Sequence, residues 1–209
     1  MQISLSDIGK RFNRDWIFRN FSYQFTPDHS YAITGPNGSG KSTLLQVIAG
    51  AIMSSEGKIK YQVPFSSGYK TIDPEKAYKS LSIAAPYQEV IEEMTLTEFF
   101  QFHQQFKPLL ASAGIKEIIT IIGLQRSAGK QIRYYSSGMK QRVKLAQAFF
   151  SDTPCILLDE PCTNLDEDGI ALYQRLVAAY CTNRLVIVSS NDKQEYGFCD
   201  EIVDIMRYK

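Results

Sequence analysis

The 209-residue chain sets 23 Lys+Arg against 22 Asp+Glu, with 44% hydrophobic and 22% charged residues; it can bury one core plus a smaller lobe, and it carries no global positive field to gather nucleic acid. No apolar run approaches the roughly 20 residues of a membrane-spanning helix, and the N-terminus lacks the charged, apolar and small-residue regions of a signal peptide, so a cytoplasmic location without a nucleic-acid partner is expected. Cys155, Cys162, Cys181 and Cys199 have neither metal-ligand nor redox spacing, which predicts reduced, mostly buried thiols.

In chain order, an alternating segment with Ile3, Leu5 and Ile8 precedes β-branched and aromatic runs at 17–25 and 30–34, and glycine-rich punctuation then leads into a helix over 41–50. Ile59 to Val63 and Leu81 to Ala84 read as strands, while 95–125 has helical spacing around Phe99, Phe102, Phe106, Ile118, Ile119 and Ile122. Beyond it follow a helix at about 137–150, a strand at 155–159, a helix at 167–180, a strand at 185–189 and a short strand at 201–205. Strands alternating with helices predict an α/β protein with a largely parallel sheet, and no internal repeat is present.

Gly35-Pro36-Asn37-Gly38-Ser39-Gly40-Lys41-Ser42 satisfies G-x-x-x-x-G-K-[ST] between a predicted strand and a predicted helix, the context in which backbone N–H groups and a helix N-terminus cradle phosphates. Lys41 is placed to neutralise the β- and γ-phosphates of ATP, Ser42 to ligate Mg²⁺, and Thr43 to donate a hydrogen bond near the α-phosphate. The apolar strand Cys155-Ile156-Leu157-Leu158 ends in Asp159 and Glu160, and parallel sheets place their ligands at the carboxyl ends of strands. Asp159 is assigned to the metal and Glu160 to the general base that takes a proton from attacking water.

With these residues, the chain resembles the nucleotide-binding subunits of ATP-binding-cassette (ABC) transporters over nearly all of 1–206. The resemblance implies a P-loop NTPase core with a mostly parallel sheet, an antiparallel N-terminal β subdomain and a helical lobe, with the core at about 1–88 and 152–209 and the lobe at about 89–151. The signature element resembles Tyr135-Ser136-Ser137-Gly138-Met139, which in the family caps ATP bound to the opposite subunit; Ser136 is equally read as a helix N-cap. Gln88 matches the glutamine that contacts Mg²⁺ between core and lobe, or is a surface loop residue. Asp166 matches the residue coupling two sites across a dimer, or caps the helix at 167–180. Phe12 aligns with the aromatic that stacks on adenine, with Trp16 as a competitor and core packing as the alternative for either. The phenylalanines of the lobe are either core or docking surface.

The departures are informative. Asn191 follows Leu185–Ser190 where the family has a histidine, and His29 and His103, the two histidines of the chain, both precede the signature element. An amide can donate to a γ-phosphate but cannot carry the charge of an imidazolium, which predicts ATP hydrolysis with reduced turnover. Ser137 and Met139 stand where glycine and glutamine are usual, a pattern found in some export branches. The resemblance implies an ATPase subunit, dimeric and peripheral on the inner face of the membrane, whose closure drives transmembrane permease subunits on separate chains. A soluble ABC ATPase and an ATP-gated binding module with slow hydrolysis remain the alternatives.

Overall fold

The computed structural model describes residues 1–66 and 68–209. The chain runs through β1 (Gln2–Phe12), β2 (Asp15–Phe25), β3 (Ser30–Thr34), α1 (Lys41–Ile48), β4 (Glu56–Phe65), β5 (Gly68–Ile72) and β6 (Leu81–Ala84). It continues through α2 (Leu96–His103), α3 (Ile115–Ile121), α4 (Ser137–Phe150), β7 (Cys155–Asp159), α5 (Glu167–Tyr180), β8 (Leu185–Ser189), α6 (Lys193–Tyr196) and β9 (Glu201–Asp204). Short 3-10 turns join several of these.

Two sheets result, an antiparallel one in the order β2-β1-β4-β5 and a parallel one in the order β6-β7-β8-β3-β9. The spacing of Ile3, Leu5 and Ile8 breaks strict alternation, and the reason is a bulge: the register with β2 shifts between Leu5 and Ile8, where Asp7 adopts φ 51°. An inserted residue flips the parity of the strand, so all three side chains reach the same core.

Every residue of β7 and β8 is buried, because the parallel sheet is covered on both faces. Side chains divide by parity. Cys155, Leu157, Leu185 and Ile187 join Leu44, Leu45 and Ile48 of α1 and the antiparallel sheet in one apolar cluster. Ile156, Leu158, Val186 and Val188 join α4, α5 and the 95–124 segment in a second. The predicted helical stretch 95–125 is two short helices, because Pro108 cannot continue a backbone ladder and the intervening chain instead gives Leu110 N–H to the Phe150 carbonyl at 2.8 Å. Thr95 and Glu98 close a capping box at the start of α2.

Within α2, Phe99 and Phe100 are buried, whereas Phe102 is exposed and pairs edge to face at 5.0 Å with exposed Phe106, just beyond the helix. Among the cysteines, all four are free, Cys155 is buried and the other three are partly so. No helix among the described residues is long and apolar enough to cross a membrane.

Candidate nucleotide-binding site

The site forms where β3, β7 and β8 end. Register sets Ile33 beside Ser189 and Ser189 beside Asp159, so the chain leaving each strand meets the other two. From β3 springs the loop 35–40, and α1 begins at Lys41 with no side chain capping its first turn. Its first N–H groups therefore face outward as donors, at the positive end of the helix dipole. Gly40 has to be glycine on two counts: its φ is 93°, and a Cβ there would lie 2.3 Å from Cγ2 of Ile17.

A cavity of about 210 Å³ opens over this loop, lined by Ile17, Asn37, Lys41, Ser42, Thr43 and Glu160. Lys41 is buried and its ammonium donates to the carbonyls of Gly35 at 2.8 Å and Pro36 at 3.3 Å. Asn191, from the turn after β8, clasps the loop: its Oδ1 accepts from Gly35 N–H and its Nδ2 donates to Asn37 Oδ1, both at 3.2 Å.

Asp159 is 1% exposed, and its Oδ1 has no hydrogen-bond partner, nor do the buried Oγ atoms of Ser39 and Ser189. Burial holds its carboxyl above the usual carboxylate range; the Ser189 and Ser42 hydroxyls beside it and the Lys41 charge pull the other way, while the Glu160 charge adds to the rise. An orphaned buried carboxylate oxygen is costly unless something else completes it. Together with the serine hydroxyl beside it, this donor set suits a hard divalent cation held through oxygen, and the residues present fit Mg²⁺.

Glu160 adopts φ 42°, a left-handed conformation that a non-glycine residue holds only when its surroundings enforce it. Its N–H donates to the Ser189 carbonyl at 2.9 Å and its carbonyl accepts from Thr163 N–H at 3.1 Å. That turn sends the side chain into the loop cavity. Glu195, a buried carboxylate not singled out from the sequence, accepts from Cys162 N–H at 2.6 Å and from the Ser190 hydroxyl, tying the segment after Glu160 to the segment carrying Asn191. Burial raises its carboxyl pKa.

The signature residues lie elsewhere. Ser136 caps α4, accepting from Met139 N–H at 3.2 Å, and Ser137 lines a separate cavity of about 510 Å³ with Gln88, Lys140, Lys144 and Asn164. Gly138 packs tightly on the loop after β7, where a Cβ would come within 2.9 Å of the Asn164 carbonyl. Asp166 caps α5 through Gly169 N–H at 2.8 Å and pairs with Arg142 at 3.1 Å; those two contacts hold its carboxyl below the usual range. Phe12 is 50% exposed near the β1–β2 turn, with Lys10 Nζ 4.9 Å from its ring centroid. Trp16 already has guanidinium groups against it, Arg19 at 4.1 Å and Arg11 at 5.4 Å. Neither ring lines the loop cavity, and the apolar wall there is Ile17, a β2 residue that nothing in the local sequence sets apart.

Gln88 points towards α4. Its Nε2 donates to Gln147 Oε1 at 3.3 Å, Gln147 Nε2 donates to His103 Nδ1 at 3.2 Å, and His103 Nε2 meets Ser151 Oγ at 2.9 Å. Burial, with Lys107 adding repulsion, pulls the His103 imidazole down to about 4 from its ordinary 6.5. The folded pKa being the lower one, the stability from the neutral ring is fully present above pH 6.5 and is lost as pH falls through about 4. Acid titration of unfolding free energy should show about 1–2 kcal/mol of this dependence, after discounting for partial exposure, and His103→Gln should remove it. Equal slopes in the two proteins between these pH values would rule it out.

A Gly-rich loop feeding a helix, with a buried carboxylate at the end of the next parallel strand but one, defines a P-loop nucleotide-binding protein. A family model described as ABC transporter matches residues 18–163, and the chain belongs to that family as an ATP-binding protein. Among relatives, it is 29% identical over 206 residues to the ABC transporter ATP-binding protein YybJ of Bacillus subtilis, covering 95% of this chain and 89% of that one. It is 29% identical over 202 residues to the cytochrome c biogenesis ATP-binding export protein CcmA of Rhizobium meliloti, covering 95% and 94%. A dimeric post-hydrolysis structure of the ATP-binding cassette MJ0796 bound to ADP and Pi superposes with TM-score 0.77 at 24% identity, over 97% of this chain and 94% of that one, a likeness of fold.

Proposed function

We propose that this chain is a dimer-forming ATPase subunit that drives separate membrane subunits, and that residues 89–151 act as a helical lobe moving against the remainder. The observation that carries the reading is the juxtaposition of an uncapped helix N-terminus, Lys41 and the Glu160 side chain around one cavity, with the buried, partnerless Asp159 Oδ1 at the preceding residue. In this reading the loop amides and Lys41 bind the β- and γ-phosphates. Ser42 and Asp159 hold Mg²⁺, which when bound neutralises charge developing on the phosphate oxygens. Glu160 accepts the proton of the attacking water, and the Asn191 amide, anchored to the loop, orients without adding charge.

Two features support a second copy. Ser136 and Ser137 sit at an exposed helix N-terminus that does not line its own chain's loop cavity, so an anion held there comes from another nucleotide site. The MJ0796 cassette of the same fold is itself dimeric. The name of the CcmA relative supports the outward direction of transport, and family membership supports membrane attachment through a partner.

The test is phosphate release from MgATP as protein concentration is raised, for the wild type and Asn191→His. A rate per subunit that climbs with concentration, and about 3–10-fold faster release in Asn191→His, are expected, since an imidazolium adds a positive charge where only a neutral amide now stands. A rate per subunit independent of concentration would remove the dimeric mechanism. Tight ATP binding with no phosphate release in either protein would select the ATP-gated module instead.

A further inference from the structure

The turn that begins at Glu160 is gripped from two sides at a single peptide group. Glu160, Pro161, Cys162 and Thr163 close it through the bond from Thr163 N–H to the Glu160 carbonyl, so the peptide joining Pro161 to Cys162 stands at its corner. The corner peptide of such a turn makes no bond within it, and its carbonyl and N–H have to be met from elsewhere. Here two buried side chains meet them. Gln141 of α4 donates through Nε2 to the Pro161 carbonyl at 2.7 Å, and Glu195 of α6 accepts from Cys162 N–H at 2.6 Å. Gln141 is 3% exposed and Glu195 5%, so water does not compete for either bond.

Each grip is itself fixed. A carbonyl can only accept, so the Gln141 amide has one workable orientation towards Pro161. Helix α4 presents it as part of a face, because Gly138, Gln141 and Arg142 fall at i, i+3 and i+4. Gly138 packs against the Asn164 carbonyl and Arg142 pairs with Asp166, so this face follows the chain after β7, and of the three residues Gln141 reaches the peptide nearest Glu160. On the other side, the second carboxylate oxygen of Glu195 accepts from the Ser190 hydroxyl, whose oxygen accepts from Asp192 N–H at 2.9 Å. The Glu195 carbonyl in turn takes the Tyr173 hydroxyl at 2.6 Å. Neither grip is free to follow a tilting peptide.

The residue that depends on this turn is Glu160. Its left-handed φ of 42° persists only where the surroundings enforce it, and its side chain enters the loop cavity. Its backbone bonds to Ser189 and Thr163 set where the turn starts and closes; the corner peptide sets how the turn is tilted between them.

We infer that Gln141 and Glu195 are positioning residues for the reaction, which hold the two ends of one peptide and thereby aim the Glu160 carboxylate. This rests on the reading of Glu160 as the general base.

The experiment measures single-turnover phosphate release from MgATP, equilibrium ATP affinity and melting temperature for Gln141→Met, Glu195→Leu and Glu195→Gln, each alone and combined with Glu160→Gln. Gln141→Met and Glu195→Leu should each slow release about tenfold with ATP affinity within about twofold of the wild type, since misaligning a catalytic group costs rate and not ground-state binding. Glu195→Gln keeps an acceptor for Cys162 N–H and should bring release back to within about threefold of the wild type. Groups that act through one another are non-additive, so neither Gln141→Met nor Glu195→Leu should slow the Glu160→Gln protein by more than about twofold further. Wild-type release in both single variants would overturn the inference, whatever happens to their melting temperatures. The same tenfold loss with Glu160→Gln already present would overturn it too, because the two residues would then be acting elsewhere. If Glu160→Gln itself releases phosphate within about threefold of the wild type, the base assignment falls and the positioning role with it.

Discussion

Glu160→Gln is expected to slow phosphate release from MgATP by about 10²–10³-fold while leaving ATP affinity within about twofold, because a general base contributes to the transition state and not to ground-state binding. The substitution keeps the size and hydrogen-bonding reach of the side chain and removes only its capacity to take a proton. Its position makes the test clean. The left-handed turn at Glu160 is held by backbone bonds to Ser189 and Thr163, so the amide should be delivered to the same place beside Lys41 and Ser42. Single-turnover release, set against equilibrium ATP binding, distinguishes chemistry from affinity. A loss smaller than about threefold would mean that proton abstraction at Glu160 contributes nothing of the expected size.

The largest effect on stability is expected at Arg184, far from the nucleotide. Its guanidinium is buried without a carboxylate partner among the described residues. It is satisfied by carbonyls instead: Thr153 at 2.8 Å, Phe149 at 2.8 Å, Ser151 at 2.8 Å and Tyr180 at 3.4 Å, with the Thr153 hydroxyl at 2.9 Å. Those from Phe149 and Ser151 close α4, the negative end of its dipole, so the helix end supplies the compensating charge. Burial lowers the Arg184 pKa, but an arginine remains charged under any folding condition.

Arg184→Met would leave several buried acceptors unpartnered, at about 1–3 kcal/mol for each that water cannot reach, for a net loss of about 3–5 kcal/mol. In a domain of this size that lowers the melting temperature by about 10 °C or more. Arg184→Lys should lose most of the same free energy, since one ammonium cannot match the planar fork. Urea unfolding at unchanged m-value would measure it, and a loss below about 1 kcal/mol for Arg184→Met would refute this account. The segment it anchors, 151–154, leads directly into β7 and Asp159, so a local effect on metal affinity should accompany any loss.

The parts of the molecule most legible in the sequence are those whose chemistry lies in consecutive residues. The strand at 30–34, the loop 35–40 and the helix from Lys41 announce one another, and the apolar run ending at Asp159 reads as a strand covered on both faces. Legibility fails where a third element decides. β5 is exposed from Gly68 to Thr71 and sits at a sheet edge, with Ile72 alone half-buried against the core, so it has no apolar alternation to betray it. Ile17 and Glu195 take their roles from loops distant in sequence, and Arg184 from the end of α4. The direction of Gln88 is set by α4, through Gln147, and a polar residue in a turn carries no local sign of which way it faces. The continuous helical spacing at 95–125 likewise concealed two helices, because periodicity persists across a break that Pro108 enforces.

The strand that delivers the phosphate loop has a distinctive place in the sheet. β3 pairs with β8 on one side and β9 on the other, so Ser30 meets Val186 and Tyr31 meets Glu201. Both partners lie far downstream of β3 in the sequence. During synthesis, β1, β2 and β4 can assemble from neighbouring sequence, while β3 waits with both edges unpaired until β8 and β9 have left the ribosome. Closing so long a loop is a slow step that local pairing cannot shorten. The loop at the end of β3 thus gains a rigid frame late, and a nascent chain gains its grip on a nucleotide only after β8 and β9 have been made.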